Sequence, residues 1–221
     1  NLFFPLTKFL NNEECIEVSK NYSFGKKFFP MPVFLAVNKS ELQSIKNGEI
    51  KIFFGNKFID KLKIKSISSF NKKIIYNLIF KNNKNKEHPF REYLLNSGNY
   101  LIETENINKK KINIYNKKNL VGFATRNIPH RGHEKIILKF IKNRNMLIHI
   151  MEDASNNKKI NSNITLNAYK KFIEKNKIKK NVILKKITAP SFLLGSRQAA
   201  LHALIAKNLK CKYFIIGRDH S

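Results

Sequence analysis

From Leu120 onward one feature limits what this chain can become: short apolar runs of strand length alternate with segments of helical periodicity. Leu120–Ala124, Met146–Met151, Val182–Ile187 and Lys212–Ile216 have the length and composition of buried strands. Between them, Glu134–Asn143 carries Ile136, Ile137, Phe140 and Ile141 on one helical face. Thr165–Lys175 and Ser196–Asn208 read as two more helices, the second with Ser196 as its N-cap. Strands alternating with helices predict an α/β fold with a parallel sheet of the Rossmann-like, dinucleotide-binding type. Ligands of such sheets sit at the carboxyl ends of the strands. Two polar clusters fall there: Thr125–His133 after the first strand and Gly217–Ser221 after the last.

The first half has a different rhythm. Met31–Val37 and Lys51–Phe54 read as strands, and Asn47-Gly48 is a strong turn dipeptide. Phe58–Ile67 and Lys73–Phe80 contain further expected strands, with Ile and Phe recurring at short spacing. Asn11–Lys20 reads as a short helix capped by Asn12. The expectation is a small β-rich barrel or sandwich over residues 1–115 and a second domain over 116–221, with the boundary near residues 112–118. No internal repeat or low-complexity linker is present.

Composition narrows the function classes. At 42% hydrophobic residues in 221, the chain has enough apolar material for a real core, which excludes wholesale disorder. No apolar run approaches the roughly 18–20 residues of a membrane span. The net charge of +28 points at first to nucleic acid. Only six of the 43 basic residues are Arg, however, and the Lys travels with Asn and Ile, all three with AT-rich codons. The lysines are spread along the chain rather than gathered in a stripe, so the charge reads as genome composition, though it still concentrates small anions. The aromatic residues, mainly Phe, follow core spacing and give no expectation of a stacking platform. Cys15 and Cys211 stand far apart in no metal-like spacing, as idle thiols in a reducing cytoplasm do. The opening Asn1-Leu2-Phe3-Phe4-Pro5 lacks the charged start of a signal peptide, and the chain stops just after an apolar run, so both ends read as cut from a longer protein.

Because Arg is scarce, its placement carries information. Arg126, Arg131, Arg197 and Arg218 fall at strand ends or in the helix-opening segments beside them. A guanidinium grips phosphate or sulfate in a two-pronged geometry that Lys does not supply. In the run Ala124-Thr125-Arg126-Asn127-Ile128-Pro129-His130-Arg131-Gly132-His133-Glu134, Pro129 ends the turn by disfavouring helix at Ile128. Gly132 leaves room near the backbone, and His133 opens a helix whose free N–H groups attract anions. Two imidazoles three residues apart suit donation to charge growing on a departing phosphate group. No third ligand of suitable spacing accompanies them, so no protein-held metal is expected.

These residues resemble the signature of the ATP sulfurylase family, Gln-Thr-Arg-Asn-Pro-x-His-Arg-x-His, whose second half is shared with the wider nucleotidylyltransferase superfamily. Ile216-Gly217-Arg218-Asp219-His220 is similar to that family's Gly-Arg-Asp-His motif. Leu194-Gly195-Ser196-Arg197-Gln198-Ala199-Ala200-Leu201-His202-Ala203 resembles its Gly-Pro-Arg-Glu-Ala-x-x-His-Ala helix. Upstream, Glu87-His88-Pro89-Phe90, Asn96-Ser97-Gly98-Asn99-Tyr100-Leu101 and Phe4-Pro5-Leu6-Thr7-Lys8-Phe9-Leu10 resemble further stretches in the same order. The resemblance implies a PUA-like N-terminal domain ahead of a nucleotidylyltransferase domain, and transfer of AMP from ATP to sulfate. It implies that Arg126 and the Ser221 backbone hold sulfate. Thr125 and Asn127 bind phosphate oxygens, His130 and His133 stabilise the departing pyrophosphate, and Gly217, Arg218, Asp219 and His220 line the adenosine pocket. Mg²⁺ arrives with ATP. A homo-oligomer and a fused or partner adenylylsulfate kinase are further implications.

The sequence departs from the family pattern at Ala124, where the family has Gln, at Ile128 and Ser196, where it has Pro, and at Gln198, where it has Glu. His149-Ile150-Met151-Glu152-Asp153 lacks the Pro and Gly of its counterpart. These departures leave two alternatives beside sulfate adenylylation: a nucleotidylyltransferase with another acceptor or weakened activity, and an RNA-binding PUA-like module. His88, His149 and His202 are expected to be structural.

Overall fold

The computed structural model describes residues 2–54, 56–80, 88–107, 115, 117–153, 161–189 and 194–217. The chain divides into two compact units, residues 3–111 and residues 112–221, with Leu2 grouped with the second.

The first unit contains α1 (Asn12–Asn21), β1 (Ser23–Phe24), β2 (Lys27–Phe28), β3 (Ala36–Val37), α2 (Lys39–Gln43), β4 (Glu49–Phe54), β5 (Lys57–Ser69), α3 (Lys72–Phe80), α4 (Pro89–Asn96) and β6 (Tyr100–Thr104). An antiparallel sheet in the order β3-β6-β5-β4 is its frame, and β1 and β2 form a separate hairpin. Leu101 and Ile102 of β6 are wholly buried at the sheet's centre.

Several expectations need correction here. Lys73–Phe80 is the helix α3 and not a strand. Its β-branched run suits either state, but Ile75 is buried with Leu78 and Ile79 half-buried beside it, the three- and four-residue spacing of a helical face. Met31–Val37 shrinks to the two residues of β3, because Pro30 and Pro32 withhold the ladder donors that a longer strand needs. Helix α1 is capped by Asn11, whose side chain accepts from Glu14 N at 2.9 Å while Glu14 bonds back to Asn11 N. Asn12 Oδ1 instead accepts from Asn71 N, just ahead of α3, at 2.9 Å. Not all the phenylalanines are core: Phe53 and Phe58, at the tip of the β4–β5 hairpin, are about half exposed and meet edge to face at 5.7 Å.

Glu103 on β6 ties the unit together. Although 3% exposed, it is bonded by Lys8, by Lys65 at 2.8 Å, by Ser66 Oγ at 2.6 Å and by Asn11 Nδ2 at 3.3 Å. Burial alone raises a carboxyl pKa, but these four donors outweigh it and hold Glu103 down to about 2.

The second unit runs β7 (Leu120–Thr125), α5 (Arg131–Ile141), β8 (Asn145–Asp153), α6 (Ser162–Lys175), β9 (Val182–Ala189), α7 (Ser196–Asn208) and β10 (Tyr213–Ile215). All four strands are parallel, in the order β10-β7-β8-β9. The chain therefore steps outward from β7 to β9 and then returns to lay β10 on the other side of β7. Right-handed crossovers put α5 and α6 on one face and α7 on the other. Packing agrees: Ile137, Ile141, Tyr169 and Ile173 share a core with Val121, Phe123, Ile148 and Ile150. Gly122 belongs to the opposite face, where a Cβ would stand 2.9 Å from Ala206 Cβ and 3.3 Å from Cys211 Sγ, so the missing side chain is what lets α7 lie close.

Helix α5 starts at Arg131, three residues before the expected Glu134. The N-cap of α7 is Gly195 at φ +50° and not Ser196, and no side chain caps that helix. Among the described residues no helix is long and apolar enough to cross a membrane.

Candidate active site

The reversal of strand order leaves β7 and β10 side by side at the sheet's switch point, the edge at which ligands of such sheets bind. Both sequence clusters start there. Thr125 ends β7, and the register Ile215↔Phe123 brings Gly217, two residues on, level with it. Arg218, Asp219, His220 and Ser221 lie outside the described residues.

The turn after β7 is folded by its own polar groups. Thr125 Oγ1 accepts from Asn127 N at 3.1 Å. From α6, Thr165 Oγ1 donates to the Arg126 carbonyl at 3.2 Å. His130 is the N-cap of α5: its Nδ1 accepts from Gly132 N at 3.1 Å, so its proton resides on Nε2 in the neutral ring. Gly132 is needed for a reason the sequence hid. A Cβ there would stand 2.9 Å from His130 Cε1, against the ring that bends back to cap the helix.

His133 sits half-buried one turn into α5, stacked on His130 with ring centroids 3.9 Å apart and planes at 28°. The edge of Phe123 meets it at 5.4 Å, and Tyr169 Oη lies 3.3 Å from its Nδ1. Burial first, and then the neighbouring His130, push the His133 pKa below its ordinary value, opposed by a bond to the Ile128 carbonyl. The ring is thus neutral at pH 7 and acts by donating a hydrogen bond rather than by carrying charge. Arg126 is half-buried, while Asn127 and Arg131 are exposed. Together with the N–H groups of the α5 N-terminus they present donors and charge of the kind that suits anions.

Other polar side chains of this unit are buried or hydrogen-bonded. Ala124 pairs in register with His149, which is fully buried, has no hydrogen-bond partner for either ring nitrogen among the described residues, and is held by burial near a pKa of about 4. On α7, Arg197, Gln198 and His202 are buried, and Gln198 Nε2 lies 3.0 Å from His202 Nε2. Sequence reasoning missed Glu152. It accepts from Lys186, Ser162 and Thr188, each at 2.8 Å, and these donors keep its pKa at about 2. It binds β8, β9 and α6 together, and its place straight after an apolar strand was the available signal. Among the described residues no group of three or more His, Cys, Asp or Glu is arranged to hold a metal.

A parallel α/β domain with an anion-binding turn at its switch point is the class these features define. The model of the ATP-sulfurylase family matches residues 101–221, and that of a PUA-like domain matches residues 2–105; the chain belongs to the ATP-sulfurylase family. The sulfate adenylyltransferase of Carboxydothermus hydrogenoformans is 26% identical along the whole chain, which covers 64% of that relative. The probable bifunctional SAT/APS kinase 2 of Sorangium cellulosum is 25% identical over 99% of the chain and 42% of the relative. A sulfate adenylyltransferase of Synechococcus sp. strain JA-3-3Ab is 37% identical over 107 residues, 47% of the chain and 27% of the relative. The chain thus spans less than two thirds of the length of these relatives. In fold it is similar to the hexameric APS kinase from Thiobacillus denitrificans, with a TM-score of 0.65 at 14% identity over 98% of this chain and 43% of that one.

Proposed function

We propose that the full-length protein is a sulfate adenylyltransferase, making adenosine 5′-phosphosulfate and pyrophosphate from ATP and sulfate. The observation that carries this reading is the meeting of the Thr125–His133 turn and the Gly217 segment on adjacent parallel strands at the switch point. A sulfate oxygen attacks the α-phosphorus in line, the new P–O bond forms, and the bond to pyrophosphate breaks. The protein's work is positioning and electrostatic stabilisation. Arg126 holds sulfate against the α-phosphate, with the Ser221 backbone on its other side. Thr125 and Asn127 take phosphate oxygens, His130 and His133 donate to the departing pyrophosphate, and Gly217, Arg218, Asp219 and His220 line the adenosine pocket. Mg²⁺ belongs to the ATP it accompanies: Glu152, an acid at this edge, already has its oxygens engaged by three donors. A homo-oligomer and an adenylylsulfate kinase, fused or separate, complete the proposal; the bifunctional relative motivates the second.

Ala124 brings no polar side chain to the acceptor end, and the test turns on it. Sulfate-dependent pyrophosphate release by the full-length protein should change less than about tenfold in Ala124→Gln, as when one neutral hydrogen bond is added. A rise by orders of magnitude would mean that the natural acceptor is another oxyanion.

A second reading, RNA binding by the first unit, is favoured by the β4–β5 hairpin. Lys51 and Lys61 lie directly opposite each other there, with Lys61 ion-paired to Glu49 at 2.5 Å. With Lys46, Phe53 and Ile50 they line a groove of about 540 Å³ beside the exposed Phe53–Phe58 pair. Glu41 and Glu49 line it too, so what suits stacked bases and phosphates is the exposed aromatic pair beside three lysines.

A further inference from the structure

Tyr169 is buried completely, yet its hydroxyl reaches the candidate site from α6, 36 residues along the chain from His133. Its Oη lies 3.3 Å from His133 Nδ1. One turn earlier on the same helix, Thr165, also fully buried, donates to the Arg126 carbonyl. A helix that buries two hydroxyls four residues apart places both on one face. Each of them ends on a residue of the turn.

The polarity of these bonds follows from groups whose direction is fixed. A backbone N–H only donates, so Thr125 Oγ1 is the acceptor toward Asn127 N, and its own hydrogen goes to the Asn127 carbonyl at 3.4 Å. Burial raises the Tyr169 pKa to about 12, so the phenol keeps its hydrogen. The hydrogen bond it makes is to His133 Nδ1 at 3.3 Å, so that nitrogen is the acceptor. A neutral ring that accepts at Nδ1 carries its proton on Nε2.

We propose that Tyr169 is a positioning residue that fixes His133 in its Nε2–H form, so that the ring meets phosphate as a donor and never as an acceptor. The Nε2 hydrogen is then available to an arriving phosphate oxygen. In the opposite tautomer a lone pair would face the anion and the donation would be lost. The consequence for rate rests on the adenylyl-transfer reading; the tautomer itself does not.

The test is ring ¹⁵N spectroscopy of the full-length protein labelled at histidine, with His133 assigned by the signal that disappears in His133→Gln. At pH 7.5, roughly one unit above the ordinary histidine pKa, Nε2 should carry the proton in the unaltered protein. An Nδ1–H ring would overturn the proposal without any variant. In Tyr169→Phe the ring should relax to a mixture of tautomers, and kcat should fall about tenfold, the worth of one hydrogen bond, with the KM for ATP within about twofold. A Tyr169→Phe protein with the same ring shifts as its parent would equally overturn it. Absence of sulfate-dependent turnover in the parent would reject the adenylyl-transfer reading, while the ring shifts would still decide the role of Tyr169.

Discussion

Replacing His130 or His133 by Ala in the full-length protein should slow adenylyl transfer by about 10²–10³, while ATP affinity changes only modestly. The magnitude is that of removing one preorganised donor to charge that develops in a transition state. The asymmetry follows from the geometry. The two rings stack at the mouth of α5, where donors interact most with pyrophosphate as it leaves and acquires charge. The two losses should not be equal in kind. His130 also caps α5 through Gly132 N, so His130→Ala should in addition cost about 1 kcal/mol of stability, which His133→Ala should not. Single-turnover rates and thermal unfolding of the two variants measure both effects. Full activity in the double variant would remove the histidines from the chemistry, and stoichiometric zinc lost on mutation would reassign them to a metal.

The largest stability effect should come from the other unit. Glu103→Gln should destabilise it by about 2 kcal/mol at pH 7, since Lys8, Lys65, Ser66 and Asn11 lose a shared carboxylate acceptor, although Lys8 keeps its ion pair with Glu14 at 2.7 Å. Linkage gives the pH window. The folded pKa of Glu103 is lowered from 4.5 to about 2, so its contribution is complete above about 4.5 and is lost as pH falls toward 2. The gap in urea midpoint between parent and variant should therefore be open at pH 7 and closing at pH 3. Equal midpoints at pH 7 would show that the network around Glu103 holds nothing together.

How far the sequence could be read depended on whether local pattern or distant contact decided each element. The strands of the second unit are buried runs between helical segments, so their length and apolar content identified them, and the order of elements implied the parallel sheet. In the first unit, Ile74-Ile75-Tyr76-Asn77-Leu78-Ile79 has strand composition, and only packing against α1 makes it a helix. The cap of α1 was legible after all: Glu14 stands three residues beyond Asn11, not beyond Asn12. Helix α4 also carried a signal, since Pro89 favours a first helical position, and His88 caps it by accepting from Phe90 N at 3.1 Å. At the site, chain order grouped Thr125, Arg126, Asn127, His130 and His133. The bending of His130 back over Gly132 and the arrival of Tyr169 from α6 are tertiary events with no local trace. Likewise the burial of His149 beside Ala124 depends on strand register, which the sequence does not state.

The central claim is that ATP binds by its phosphates at the β7–β10 switch point. It is tested most directly by titrating ATP into the full-length protein while following backbone amide and histidine ring resonances. The account expects the changes to centre on Thr125–His133 and Gly217, with the His130 and His133 rings among the most shifted and Phe53, Phe58 and Lys51 undisturbed. Changes centred on the β4–β5 hairpin, with the turn after β7 silent, would contradict it.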